Sequence, residues 1–138
     1  MLKDSLEIEQ YIKLFMPRRN RSLYAQLRFG ILPLRIETGR FKNIKDPQTG
    51  QFRKLKPEER ICEICNSNAI EDEIHFVCQC TKYAERRNEL YNTVQEKTPE
   101  FVSLDDTQKF KHLLMNECLL TSLYISDIWT IRSNVLYK

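Results

Sequence analysis

Arg60-Ile61-Cys62-Glu63-Ile64-Cys65 and, after nine intervening residues, His75-Phe76-Val77-Cys78-Gln79-Cys80 place four cysteines and a histidine within nineteen positions. Two cysteines separated by two residues can bend as one turn and aim both sulfurs at a single ion. Zn²⁺ takes four soft or borderline donors in a tetrahedron at about 2.0–2.3 Å, and three Cys with one His is a common closed set. Reduced cysteines packing as small hydrophobes would leave His75 without a role. The fifth cysteine, Cys118, stands apart, and an odd number fits a disulfide framework poorly. The cluster therefore reads as a site for one structural zinc ion.

Cys62, Cys65 and His75 supply three donors, and the fourth has two claimants. On a regular helix Cys78, three residues after His75, shares its face, whereas Cys80, five residues after, lies about 140° away. Cys80 serves only if the helix ends or unwinds there. Either choice closes the coordination shell and leaves no position for an activated water, so no enzymatic role is expected. Arg60 and Lys82 flank the cluster, whose net charge would be near −1.

Working outward, the 138 residues carry 41% hydrophobic and 30% charged side chains, with only three Gly and five Pro. That balance favours long helices over a turn-rich β-sandwich. One domain is expected over 1–138: a basic half at 1–60, the zinc motif at 61–82 and helices at 83–138. Ile8, Tyr11, Ile12 and Phe15 mark an amphipathic helix over 5–16. A second fits 18–29, with Leu23, Tyr24 and Leu27 inward and Gly30 as its stop. Leu32, Leu34 and Ile36 fit a strand or a helical turn. Asp46-Pro47-Gln48-Thr49-Gly50 has turn chemistry and separates two short segments of a loose basic β-hairpin.

Tyr83, Leu90, Tyr91 and Val94 mark a helix over 83–97. Asp105 or Asp106 can cap another that carries Phe110, Leu113, Leu114 and Cys118. Tyr124, Ile128, Ile131 and Val135 line a last one near 121–137, with Trp129 and Tyr137 as core aromatics. His112 reads as a surface residue and Cys118 as a packed one. The fold class is thus mainly α: a small helical domain with a zinc-stapled turn-helix. No segment approaches the roughly 18 consecutive apolar residues of a membrane span. Met1–Glu7 lacks the apolar segment of a secretory signal, so an intracellular chain, cytoplasmic or nuclear, is expected.

Charge is unevenly placed. Residues 17–60 hold twelve Lys/Arg against four Asp/Glu, and residues 61–138 hold eight against twelve. Basic residues can track a phosphate backbone, because each neutralised phosphate releases counterions. Arg18, Arg21 and Arg28 share one helical face, and Lys42, Arg53 and Lys54 extend the set. Phe41 and Phe52 lie among these cations, where they could stack on bases. RNA or DNA is the expected partner. No membrane and no small-molecule substrate are expected.

Several of these stretches resemble a known family. Ser22-Leu23-Tyr24-Ala25-Gln26-Leu27-Arg28-Phe29-Gly30-Ile31-Leu32-Pro33-Leu34, then Gly39-Arg40-Phe41, then the Cys-x2-Cys and Glu73-Ile74-His75-Phe76-Val77-Cys78-Gln79-Cys80 are similar to the C-terminal zinc-binding region of animal non-LTR retrotransposon reverse transcriptase proteins. Arg86-Arg87, the segment Lys111–Glu117 and Arg132 extend the likeness over roughly residues 20–135. The resemblance implies Cys62, Cys65, His75 and Cys80 as the metal ligands. It also implies a tail that positions nucleic acid while a polymerase elsewhere does the chemistry, with a reverse transcriptase or other retroelement protein as partner. Nine residues separate the second Cys from the His, where a retroviral zinc knuckle has four. The other expectation is a protein–protein interaction domain that zinc merely stabilises, resting on the acidic, apolar C-terminal half.

Overall fold

Pro17 opens the first helix of the computed structural model, which describes residues 16–41 and 43–137. The helix expected over 5–16 falls before them, apart from the buried Met16, and Lys42 also lies outside them. Helix α1 (Arg18–Arg28) turns Leu23, Tyr24 and Leu27 inward. It ends at Gly30, whose φ of +70° is a left-handed conformation that glycine adopts without cost. The Gly30 N–H reaches the Leu27 carbonyl at 3.2 Å and the Ile31 N–H reaches that of Gln26 at 2.9 Å, the paired bonds of a Schellman stop. The chain is mainly helical, as its composition indicates.

Leu32 and Leu34 are fully buried in extended linker, and the following segment resolves as a helical turn, α2 (Arg35–Thr38). A hairpin of three-residue strands follows, β1 (Asn43–Lys45) and β2 (Phe52–Lys54). Its antiparallel register pairs Asn43 with Lys54, Ile44 with Arg53 and Lys45 with Phe52. Asp46 fixes the connection by accepting the Gln48 N–H at 2.8 Å.

Helices α3 (Ala84–Lys97), α4 (Asp106–Asn116) and α5 (Cys118–Leu136) complete the fold. Asp105 caps α4, its carboxylate accepting the Gln108 N–H at 2.8 Å. α5 is central: α1, α3 and α4 all pack against it. Tyr24 donates its hydroxyl to the Leu114 carbonyl, tying α1 to the end of α4. Phe76 meets Tyr83 and Trp129 edge-on, with centroids 5.5 and 6.0 Å apart. Each fully buried side chain of this size contributes roughly 1.5–3 kcal/mol through water exclusion.

The inner face of α5 differs from the expected one. Thr121, Tyr124, Ile125, Ile128 and Arg132 are buried, while Val135 is exposed and Ile131 only half-buried. Tyr137 is exposed as well, and Trp129 lies at the core's edge. The reason is polar: Arg132 is drawn inward by a carboxylate, which rotates the buried stripe away from the most apolar reading. No described helix is long and apolar enough to cross a membrane.

Candidate metal centre and basic surface

The loop 61–71 closes on itself before it presents any donor. Ile61 bridges Ile70, the Cys62 N–H reaches the Ala69 carbonyl at 2.8 Å, and the Glu71 N–H reaches that of Arg60 at 3.0 Å. Asn66 and Asn68 take φ of 55° and 60°, which asparagine tolerates better than most side chains. The Ile64 N–H points at Cys62 Sγ from 3.4 Å, and the Ser67 hydroxyl lies 3.0 Å from Cys65 Sγ. Backbone and hydroxyl dipoles thus already face the sulfurs.

The opposite wall begins at Asp72, whose carboxylate accepts the His75 N–H at 2.8 Å and starts a helical turn. His75–Gln79 then winds as a π-helix. Its closing bond runs from the Cys80 N–H to the His75 carbonyl at 2.7 Å, five residues back. Such a turn is one residue wider than an α-turn and is frequent at functional sites. Cys80 itself leaves in extended conformation, with ψ of 124°. The wide turn and the exit bring Cys80 round to the face of His75 that a regular helix would give to Cys78.

The result is a group of four. One ligand atom each from Cys62, Cys65, His75 and Cys80 all lie within 4.8 Å of one another, the one such His/Cys/carboxylate group among the described residues. A tetrahedron with arms of about 2.3 Å has edges near 3.8 Å, so the spread suits a single ion. Three of the four are buried and Cys65 is half-buried. All five cysteines are free thiols. These residues lie close enough to hold a metal ion.

Electrostatics agree with a shared site. Hydrogen bonding from Cys80, and then from His75, holds the Cys62 thiol well below its ordinary value. Cys80 is pushed up by the same contact with Cys62 and by burial. His75 is raised, chiefly by its hydrogen bond with Cys62. Thiols and an imidazole crowded together in this way are a donor set for a cation, since a metal binds the deprotonated forms. Cys78 behaves differently: burial pushes its thiol up to about 11, and it points to the Asp106 carbonyl 3.8 Å away.

Four residues that sequence reasoning did not place in these roles hold the centre against the helices. Glu71, 1% exposed, lies in the loop and forms a two-pronged ion pair with Arg132 of α5 at 2.9 and 2.7 Å. The same carboxylate accepts the Arg35 N–H at 2.8 Å and stands 4.0 Å from Cys62 Sγ. Arg87 of α3 donates to the Cys80 carbonyl at 2.9 Å, and the Tyr124 hydroxyl donates to that of Val77 at 2.7 Å. Arg60 does not face the sulfurs. It donates to the carbonyls of Ile36 at 2.9 Å and Leu55 at 3.1 Å. It runs so close to Gly39 that a Cβ there would sit 2.5 Å from its Cγ.

The expected phosphate contacts divide. Arg18 and Arg21 are exposed at the start of α1, and Lys54 is exposed on β2. Arg28 is only 7% exposed and donates to the Leu114 carbonyl at 3.4 Å, which removes it from solvent reach. Arg53 points to the other side of the hairpin from Lys54. There it makes a two-pronged pair with Glu59 at 2.6 and 2.8 Å and lies 3.9 Å from Asp46. Helical periodicity and charge had grouped all of these, but burial and strand alternation separate them.

Protein-family models, curated proteins and solved structures all return no match to this chain.

Proposed function

We propose that this chain is a nucleic-acid-binding module stapled by one zinc ion at Cys62, Cys65, His75 and Cys80, which positions RNA or DNA without catalysis. We read it as related to the C-terminal region of non-LTR retrotransposon reverse transcriptases, with a reverse transcriptase or another retroelement protein as its working partner. Zinc is the metal of choice because three thiolates and an imidazole in a closed set suit it better than harder cations.

The observation that carries the nucleic-acid reading is how the hairpin sorts its charge. Arg53, on the inward side, is neutralised by Glu59. Lys45 and Lys54, on the outward side, have no ion pair among the described residues, and neither do Arg18 and Arg21. Cations kept clear of the carboxylates around them are available to phosphate.

The test is fluorescence anisotropy of the zinc-loaded chain with a short labelled RNA and the matching DNA across a salt series. Each phosphate neutralised on a single strand contributes about −0.7 to the slope of log K against log salt. Reversing Lys45 and Lys54 to Glu should flatten the slope by roughly 1.4 and weaken binding. Affinity indifferent to salt would overturn the reading.

A second reading, a zinc-stabilised protein–protein interaction domain, is favoured by Leu119 and Leu123. They are 42% and 53% exposed one turn apart on α5. It requires self-association of the purified chain that Leu123→Asp abolishes, measured by sedimentation velocity.

A further inference from the structure

We infer that the hairpin selects unpaired bases, so that the ligand is single-stranded rather than duplex nucleic acid; this rests on the nucleic-acid reading above and deepens it. The argument starts from two phenylalanines. Phe52 is 74% exposed and Phe41 is 69% exposed, whereas Phe76, Phe101 and Phe110 are each at most 8% exposed. The chain therefore has a core that takes phenylalanine; these two are the most exposed of the described phenylalanines, with Phe29 next at 47%.

Their surroundings say what covers them. Residues directly opposite in an antiparallel pair share a face, and positions two apart on one strand share it too. The register therefore puts Lys45, Phe52 and Lys54 on one face of the hairpin, with Ile44 and Arg53 on the other. Lys45 stands across from Phe52 at about 5 Å between Cβ atoms. Lys54 lies about 7 Å along the strand. Phe41 ends the turn Gly39–Phe41, which packs against β2. An aromatic ring between cations matches a nucleotide strand, whose bases alternate with its phosphates. An apolar protein partner would leave both lysines facing nothing of opposite charge.

The hairpin is held in shape from behind, so its outer face has no structural work. Two three-residue strands are marginal alone. The Arg53–Glu59 pair, the Asp46 turn and the bond from Arg60 to the Leu55 carbonyl all lie on the inner side or at the ends. A duplex offers phosphates to the lysines but hides the faces of its bases, whereas a single strand offers both.

The test compares three probes against the zinc-loaded full chain: a 12-mer single strand, the same sequence as a blunt duplex, and the single strand with abasic sites; the chain without nucleic acid is followed separately by sedimentation velocity. Phe52→Ala and Phe41→Ala should keep the melting temperature within about 2 °C, because exposed positions seldom contribute to stability. The wild type should bind the single strand at least five-fold more tightly than the duplex or the abasic strand. Each alanine should weaken the intact strand about five-fold or more while leaving the abasic strand unchanged, since stacking alone is lost. Phe52→Trp should restore the preference. Equal affinity for duplex and single strand overturns this inference and leaves the nucleic-acid reading standing. No salt-dependent binding to any probe overturns both. A change of oligomeric state in Phe52→Ala without nucleic acid would assign the ring to a protein contact and overturn the inference as well.

Discussion

Replacing Glu71 by Gln should be among the most damaging single changes outside the metal ligands, and its size can be worked from the contacts. The Arg132 side chain is 4% exposed and that of Glu71 1% exposed, so neither charge has water to fall back on. The carboxamide oxygen of the Glu71→Gln variant would still accept the Arg35 N–H now bonded at 2.8 Å, so the loss is mainly one of charge. Removing one partner of a buried pair typically costs about 3–5 kcal/mol, because the other is left uncompensated. With roughly 2 cal/mol/K of unfolding entropy per residue over 138 residues, that lowers the melting temperature by about 11–18 °C. The assay is urea and thermal unfolding of the zinc-loaded chain in excess metal. Combining Glu71→Gln with Arg132→Met removes both charges, and the double variant should recover most of the loss, coming within about 1–2 kcal/mol of the wild type. A Glu71→Gln cost under about 1 kcal/mol, or a double variant worse than both singles, would refute the account of this pair.

Two further outcomes follow from the same geometry. Cys80→Ala should purify without bound zinc, whereas Cys78→Ala should retain one ion per chain by elemental analysis; the reverse result would sink the assignment that the π-turn supports. The Glu59 carboxyl, held down to about 2 by Arg53 and then by the Lys56 N–H, should titrate there by NMR. Its folded value lies below the unfolded one of about 4.3, so its stabilising effect is full above that pH and fades as pH falls towards 2. Arg53→Met should return the midpoint towards the ordinary range, and a native midpoint already near 4 would contradict the pairing.

Much of the fold could be read from side-chain pattern because the signals were local. Gly30 stops α1, Asp105 caps α4, and the Asp46–Gly50 turn sets the hairpin, each through residues adjacent in sequence. What escaped was non-local or depended on one extra residue. Helical periodicity favours Cys78 over Cys80, and only the wider π-turn reverses that preference. Arg132 looks like a surface residue until Glu71, sixty-one positions away, draws it inward and turns α5 with it. Arg28 and Arg53 matched the cationic pattern, yet the Leu114 carbonyl and Glu59 claim them. A count of positive charges cannot tell a solvated arginine from one engaged in structure.

That distinction explains why a C-terminal half with excess acid still supplies two buried arginines. Three thiolates and a neutral imidazole around a dication would carry a net charge near −1, and Glu71 would add a second negative charge 4.0 Å from Cys62 Sγ. Arg132 meets Glu71, and Arg87, 9% exposed, meets the Cys80 carbonyl, so with a metal bound the interior around the loop would balance close to zero. Arg132 could not be replaced by lysine without loss, because only a guanidinium offers the planar fork that Glu71 receives. The same loop starts at Arg60, whose side chain clamps the end of β2 through the Leu55 carbonyl and α2 through that of Ile36. Metal ligands, buried charge and hairpin are therefore successive links in one chain of contacts. Arg60 thus ties the start of the loop to the end of the hairpin that carries the outward lysines.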